Sequence, residues 1–166
     1  MSDSSTLTRR ATVGAAAVGA LALAASSVAQ ADDSSIAPLL KVLRAHDYAY
    51  MQHDVKGVLA TMTENVFLLG SGTAEIWKGR KEVATAYEHF FKDFDKGSES
   101  FEAIFHEGAI SGNIGYFTAA LRVNTMKGSK KKQFPLNLSV AFAKVKESWF
   151  ITGLHYSTSS SGKPGA

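Results

Sequence analysis

The chain has 166 residues, no cysteine, a net charge of +3 and 45% hydrophobic residues. That length makes one domain with room for a proper core. The lack of cysteine excludes disulfide and thiol chemistry, and so small a charge leaves no electrostatic footprint for nucleic acid.

Residues 1–31 read as a leader to be removed. A short polar start precedes Arg9-Arg10, an uncharged Ala-rich run spans Ala11 to Ala25, and Ala29-Gln30-Ala31 is a small-x-small cleavage site. This is the three-part layout of a secretory signal. The run is too short, and too rich in Ala and Gly, to span a bilayer stably. The paired arginines point to the twin-arginine route, although Thr12 stands where such signals prefer a large apolar residue. The other readings are an ordinary signal or an uncleaved anchor. Cleavage after Ala31 leaves 135 residues at a net charge of +2, expected in the periplasm or outside the cell. No second apolar run could cross a membrane.

In "IAPLLKVLRAHDYAYMQHD", Ile36, Leu39, Leu40, Leu43 and Tyr50 recur at the spacing of one helix face. His46 and Asp47 interrupt that stripe with its most ionisable pair. Asp54 is placed to cap a short second helix carrying Val55, Val58, Leu59 and Met62. "NVFLLGSG" and "AEIWKG" read as short strands around a glycine turn. A third helix, from about Arg80 to Phe94, buries Val83, Tyr87, Phe90, Phe91 and Phe94. From Ser98 the period changes to two. "SFEAIFHEGAI", "IGYFTAALRVNTM", "QFPLNLSVAFAKV" and "SWFITGLHYS" are four successive strands. Their breaks fall at Gly108–Gly115, at a solvated lysine turn over Lys127–Lys132, and at Lys146–Glu147. Helices first and a long antiparallel meander last make an α+β domain with helices on one sheet face. Gly112, Gly115 and Gly153 permit strong bending, which would leave a cone with an interior. The small polar tail, 158–166, is expected to be disordered.

Three passages carry a family resemblance: His53-Asp54-Val55-Lys56-Gly57-Val58, Glu75-Ile76-Trp77-Lys78-Gly79-Arg80, and Trp149-Phe150-Ile151 followed by His155-Tyr156-Ser157. In their order and spacing, residues 32–157 resemble the NTF2-like, or SnoaL-like, superfamily and look closest to its exported bacterial SnoaL-like branch. The resemblance implies a cone-shaped NTF2-like fold, with about three helices packed on a strongly bent antiparallel sheet. It also implies a small-molecule cavity and a homodimer formed through the outer face of the sheet. In the steroid-isomerase branch a tyrosine on the first helix donates to an oxyanion, and that position corresponds to His46. The general-base aspartate of that branch corresponds to Gly70, which can abstract no proton. The Asp–Arg–Asp set of the epoxide-hydrolase branch is not matched, because the strand after Arg122 offers Asn137 and Ser139. Nor is there a motif matching the paired histidines of the scytalone-dehydratase relatives.

His46, Tyr50, Phe67, Trp77, Arg122 and His155 are therefore the expected pocket residues, with Arg122 a clamp for an anionic ligand. Each also has a plainer role: a hydrogen-bonded core histidine, a surface ion pair, an aromatic core. Residues His46 and His53 could share a helix face, but no His-x-His or His-Glu-x-x-His spacing supports a metal. No cofactor motif is present. Two functions follow. One is an uncharacterised binding module for a small, partly apolar ligand. The alternative is a cofactor-independent isomerase, dehydratase or cyclase using general acid–base catalysis.

Overall fold

The computed structural model describes residues 33–158. The expected leader, 1–31, and all but the first residue of the expected tail, 158–166, lie outside the described residues. The elements run α1 (Ala37–Met51), α2 (Val55–Ala60), β1 (Met62–Leu69), β2 (Ile76–Lys78), α3 (Gly79–Phe90), β3 (Ser100–Ser111), β4 (Ile114–Lys127), β5 (Lys130–Val145) and β6 (Ser148–Ser157). All six strands form one sheet in the order β2-β1-β6-β5-β4-β3. Every neighbouring pair is antiparallel except β1 with β6. The fold is the expected α+β one: a curved, unclosed sheet with helices packed on its inner side.

Local chemistry sets the boundaries. Pro38 lies in the first turn of α1, where its missing N–H costs nothing. Asp54 caps α2 by accepting from the Gly57 N–H at 3.0 Å. Between these helices His53 takes φ 52, so the chain reverses within a few residues. The helix α3 ends four residues earlier than its apolar stripe suggests, and Phe91 and Phe94 belong to the following turn and loop.

The hairpins are tighter than the sequence reading. Lys130, Lys131 and Lys132 belong to β5, and the turn is only Gly128-Ser129, with Gly128 at φ 58. Likewise β3 runs through Gly108 to Ser111 and turns at Gly112-Asn113, Gly112 having φ 58. A two-residue turn with a left-handed glycine matches the twist of long paired strands, so pairing extends almost to the tip.

The core is the inner face of the sheet against α1 and α3. Leu39, Leu40 and Leu43 of α1, Val83 and Tyr87 of α3, and the alternate residues Phe117, Ala119 and Leu121 of β4 form one buried cluster. Gly115 lets α1 approach the sheet closely: a Cβ there would lie 2.8 Å from Leu39 Cδ1. Bulges interrupt three strand pairings, at Met62/Phe67 in β1, Ala103/Phe105 in β3 and Ala141/Phe142 opposite β6. Each extra residue exchanges inward and outward positions beyond it.

Candidate ligand cavity

Between the helices and the bent sheet lies a cavity of about 290 Å³. Its walls are mostly apolar: Leu43 from α1, Phe90 from α3, Phe101 from β3, Leu121 from β4, Leu138 from β5 and Leu154 from β6. Its polar lining comes from His46, Asp47, Tyr50, Glu75, Glu99 and Tyr156, among others. Apolar walls with a few convergent polar groups are the ordinary make-up of a small-molecule site.

His46 is 3% exposed, yet both ring nitrogens are satisfied. Nδ1 lies 3.1 Å from Asp47 Oδ1, and Nε2 lies 2.8 Å from the Tyr87 hydroxyl. The Asp47 carboxylate can only accept, so Nδ1 carries a proton. In a singly protonated ring, Nε2 then accepts from Tyr87. Tyr156 lies close enough to Tyr87 for the two phenols to influence each other. A chain of three groups, Asp47, His46 and Tyr87, thus runs from half-buried helix surface into the core. Burial pushes the hydroxyl pKa of Tyr50, Tyr87 and Tyr156 upward, and neighbouring phenols and carboxylates add to the shift at Tyr50 and Tyr87. All three keep their protons at any ordinary pH. Tyr50 stands edge-on to Tyr87 and Phe91, with ring centroids 6.0 and 5.3 Å apart.

Glu99, immediately before β3, is the least satisfied group of the site. It is 5% exposed, and neither carboxyl oxygen has a hydrogen-bond partner among the described residues. Its nearest cationic candidate, His53 Nε2, stands off at 3.9 Å and is unpartnered too. Desolvation raises the Glu99 pKa, and Asp95 adds to it. The backbone N–H groups of Ser98 and Glu99 pull the other way without completing a hydrogen bond. His53, stacked on Phe91 at 4.5 Å, is shifted down by desolvation and by Lys96 and Lys127.

Of the six residues expected in the pocket, the structure brings His46 and Tyr50 to the cavity. The other four lie elsewhere. Arg122 is on the outer face of β4, 44% exposed along its side chain, and donates to Glu102 at 2.8 Å. It cannot clamp a ligand in the interior. Phe67 faces outward from β1, and its ring covers Gly153, where a Cβ would come within 2.4 Å of it. His155 is exposed because the bulge in β6 turns Leu154 and Tyr156 inward in its place. Trp77 stands behind the wall, edge-on to Phe90 at 5.6 Å.

Tyr87 enters the site as the hydroxyl partner of His46 rather than as plain core. Neither Glu99 nor Tyr156 was among the expected pocket residues. Tyr156 was within reach, since it alternates with Leu154 on β6; Glu99 lies in a polar run, "KGSESFE", that gives no sign of burial.

Gly70 lines the cavity as well. A Cβ built on it would meet Glu75 Oε2 at 2.2 Å, so the Glu75 carboxyl occupies the space beside the missing base. That carboxyl accepts from the Gly72 N–H at 2.8 Å, which fixes it at the end of β1.

The SnoaL-like domain family matches residues 39–160, nearly the whole of the described chain, and the protein belongs to that family. Its solved structural relatives share the fold at low identity. A ketosteroid isomerase-like protein from Erwinia carotovora atroseptica superposes with a TM-score of 0.63 at 18% identity, covering 77% of this chain and 98% of the other. A proposed dehydratase of the NTF2-like family from Streptomyces avermitilis gives 0.66 at 14%, covering 76% and 97%. An NTF2-like protein of unknown function from Pseudomonas putida gives 0.64 at 14%, covering 78% and 92%. No curated protein matches the sequence.

Proposed function

We propose that this is an exported SnoaL-like protein whose cavity binds a small, partly apolar ligand. The observation that carries the reading is the mostly aromatic and aliphatic volume of about 290 Å³ with Tyr50 and Tyr156 in its lining. Buried phenols that keep their protons can donate to a carbonyl or ether oxygen while the walls take up the carbon skeleton. A neutral single-ring probe such as 4-phenylbutan-1-ol tests this. A ligand at a hundred times its dissociation constant stabilises a protein by roughly 2.7 kcal/mol. A clear, saturable rise in Tm is therefore expected, and a flat melting temperature at millimolar probe counts against the reading.

A second reading, an acid–base isomerase or dehydratase, is favoured by one observation. Glu75 sets a carboxylate beside Gly70, on the wall of the same cavity. Its oxygen is already held by a backbone N–H, and His46 has no nitrogen free to donate. Binding without turnover is the better reading. A β,γ-unsaturated ketosteroid should show no isomerisation above background. Turnover abolished by Glu75→Gln would instead make Glu75 the base.

Export rests on residues 1–31 alone. Mass spectrometry of protein from its native envelope should give Asp32 as the first residue. Intact Met1 on cytoplasmic protein would refute export. Replacing Arg9-Arg10 by Lys-Lys should stop transport only on the twin-arginine route. The homodimer through the outer sheet face belongs to the same proposal. Phe67, Ile104, Ile114 and Tyr116 are exposed large side chains on the strands, apolar surface that a second copy would cover. Sedimentation equilibrium distinguishes a dimer from a monomer.

A further inference from the structure

The charges of the cavity are one-sided. Asp47, Glu75, Asp93 and Glu99 line it, and among the described residues the lining includes no lysine or arginine. The one arginine expected there, Arg122, is spent on Glu102 at the outer face. A cluster of carboxylates could be mere surface solvation, but Glu99 is not at the surface. Its side chain is 2% exposed and lines the cavity, with both oxygens lacking hydrogen-bond partners among the described residues. A buried carboxyl without partners is costly, and it persists where something else completes it.

Resting on the cavity being a ligand site, we infer that its ligand is an apolar amine whose ammonium group pairs with Glu99. Three features select that class. The carboxylates repel an anion and attract a cation. The ammonium supplies the donors that Glu99 lacks, in a charge-assisted bond. Tyr50, Phe94 and Phe101 line the same cavity, and aromatic rings attract cations as well as apolar carbon. The Phe94 ring already draws one cation, the Lys132 ammonium 5.7 Å from its centroid. Neighbouring His53 does not supply the missing charge. Burial and two lysines hold it toward the uncharged form, and 3.9 Å separates it from Glu99.

Three probes of one skeleton decide the matter at pH 7: 4-phenylbutylamine, 4-phenylbutan-1-ol and 4-phenylbutyrate, titrated by calorimetry. The amine is expected to bind about tenfold tighter than the alcohol, and the carboxylate weakest of the three. In Glu99→Gln the amine should lose its advantage and bind no tighter than the alcohol. A carboxylate that binds as well as the amine overturns the inference, and so does an amine preference that survives Glu99→Gln. Alcohol binding with no amine preference overturns this inference and leaves the cavity reading standing. Failure of all three probes to bind overturns both. Should Glu99→Gln not fold, the wild-type series still decides.

Discussion

Replacing His46 by alanine should destabilise the protein by about 3 kcal/mol, from two lost hydrogen bonds and a cavity in the core. In a domain of this size that lowers Tm by roughly 10–15 °C. The size of the effect follows from what remains behind. The Tyr87 hydroxyl, in a side chain with no exposed surface, loses the acceptor it donates to. Asp47 loses its neighbour at 3.1 Å, but being half-buried it can turn to water. Tyr87→Phe should cost less, about 1–2 kcal/mol, because it keeps the ring and removes only the bond to His46 Nε2. Combining the two changes should cost less than their sum, since both break the same bond. Chemical denaturation of the four proteins measures this. A His46→Ala variant within 0.5 kcal/mol of the parent, on the scale of ordinary surface substitutions, would mean that the chain of groups is incidental.

Glu99→Gln should have the opposite sign. The variant should be more stable than the parent at pH 7, by about 1 kcal/mol, the extra cost of leaving a charged rather than a neutral polar group without partners. The pH dependence separates charge from shape. The Glu99 pKa is raised in the folded protein, chiefly by desolvation. Its protonated form is therefore the one that folding favours. That contribution is fully present below the unfolded carboxylate pKa, near 4.3, and is lost as pH rises through the folded value. Near pH 4 and below, the parent carries a neutral carboxyl that a glutamine amide mimics, and the two melting temperatures should converge. Above that they should separate, the variant being higher. Parallel curves would show that Glu99 does not titrate in a buried site. Saturating amine should offset that gain at pH 7, since a tenfold preference adds about 1.4 kcal/mol to the parent alone.

These two residues mark how far the sequence could be read. The succession of helices and strands, the Asp54 cap and the change to period two at Ser98 were all legible, because each is a local pattern. His46 and Tyr50 were legible as cavity residues because α1 holds its face without interruption. The strands were harder. Alternation divides β4 into two sets, and the set with Phe117, Leu121 and Val123 goes inward simply because it is the apolar one. Arg122 sits in the other set with Thr118 and Asn124, and its exposure follows from the same rule. His155 failed for a different reason. Trp149, Ile151 and Gly153 share its parity, but the bulge in β6 breaks the phase between Ile151 and Leu154, and a bulge leaves no mark in composition. Phe67 lies in an unbroken apolar run, "VFLL", where period gives no face at all. Glu99 reaches the interior through packing alone, which no local pattern encodes.

A ligand bound as proposed sits between the helices and the bent sheet. Intermolecular NOEs between 4-phenylbutan-1-ol and methyl-labelled protein test it most directly. Contacts are expected from the phenyl protons to the methyl groups of Leu43, Leu121, Leu138 and Leu154, which line the cavity from four different elements. Contacts confined to Ile104 and Ile114, which are exposed, would contradict it and place the probe outside the cone.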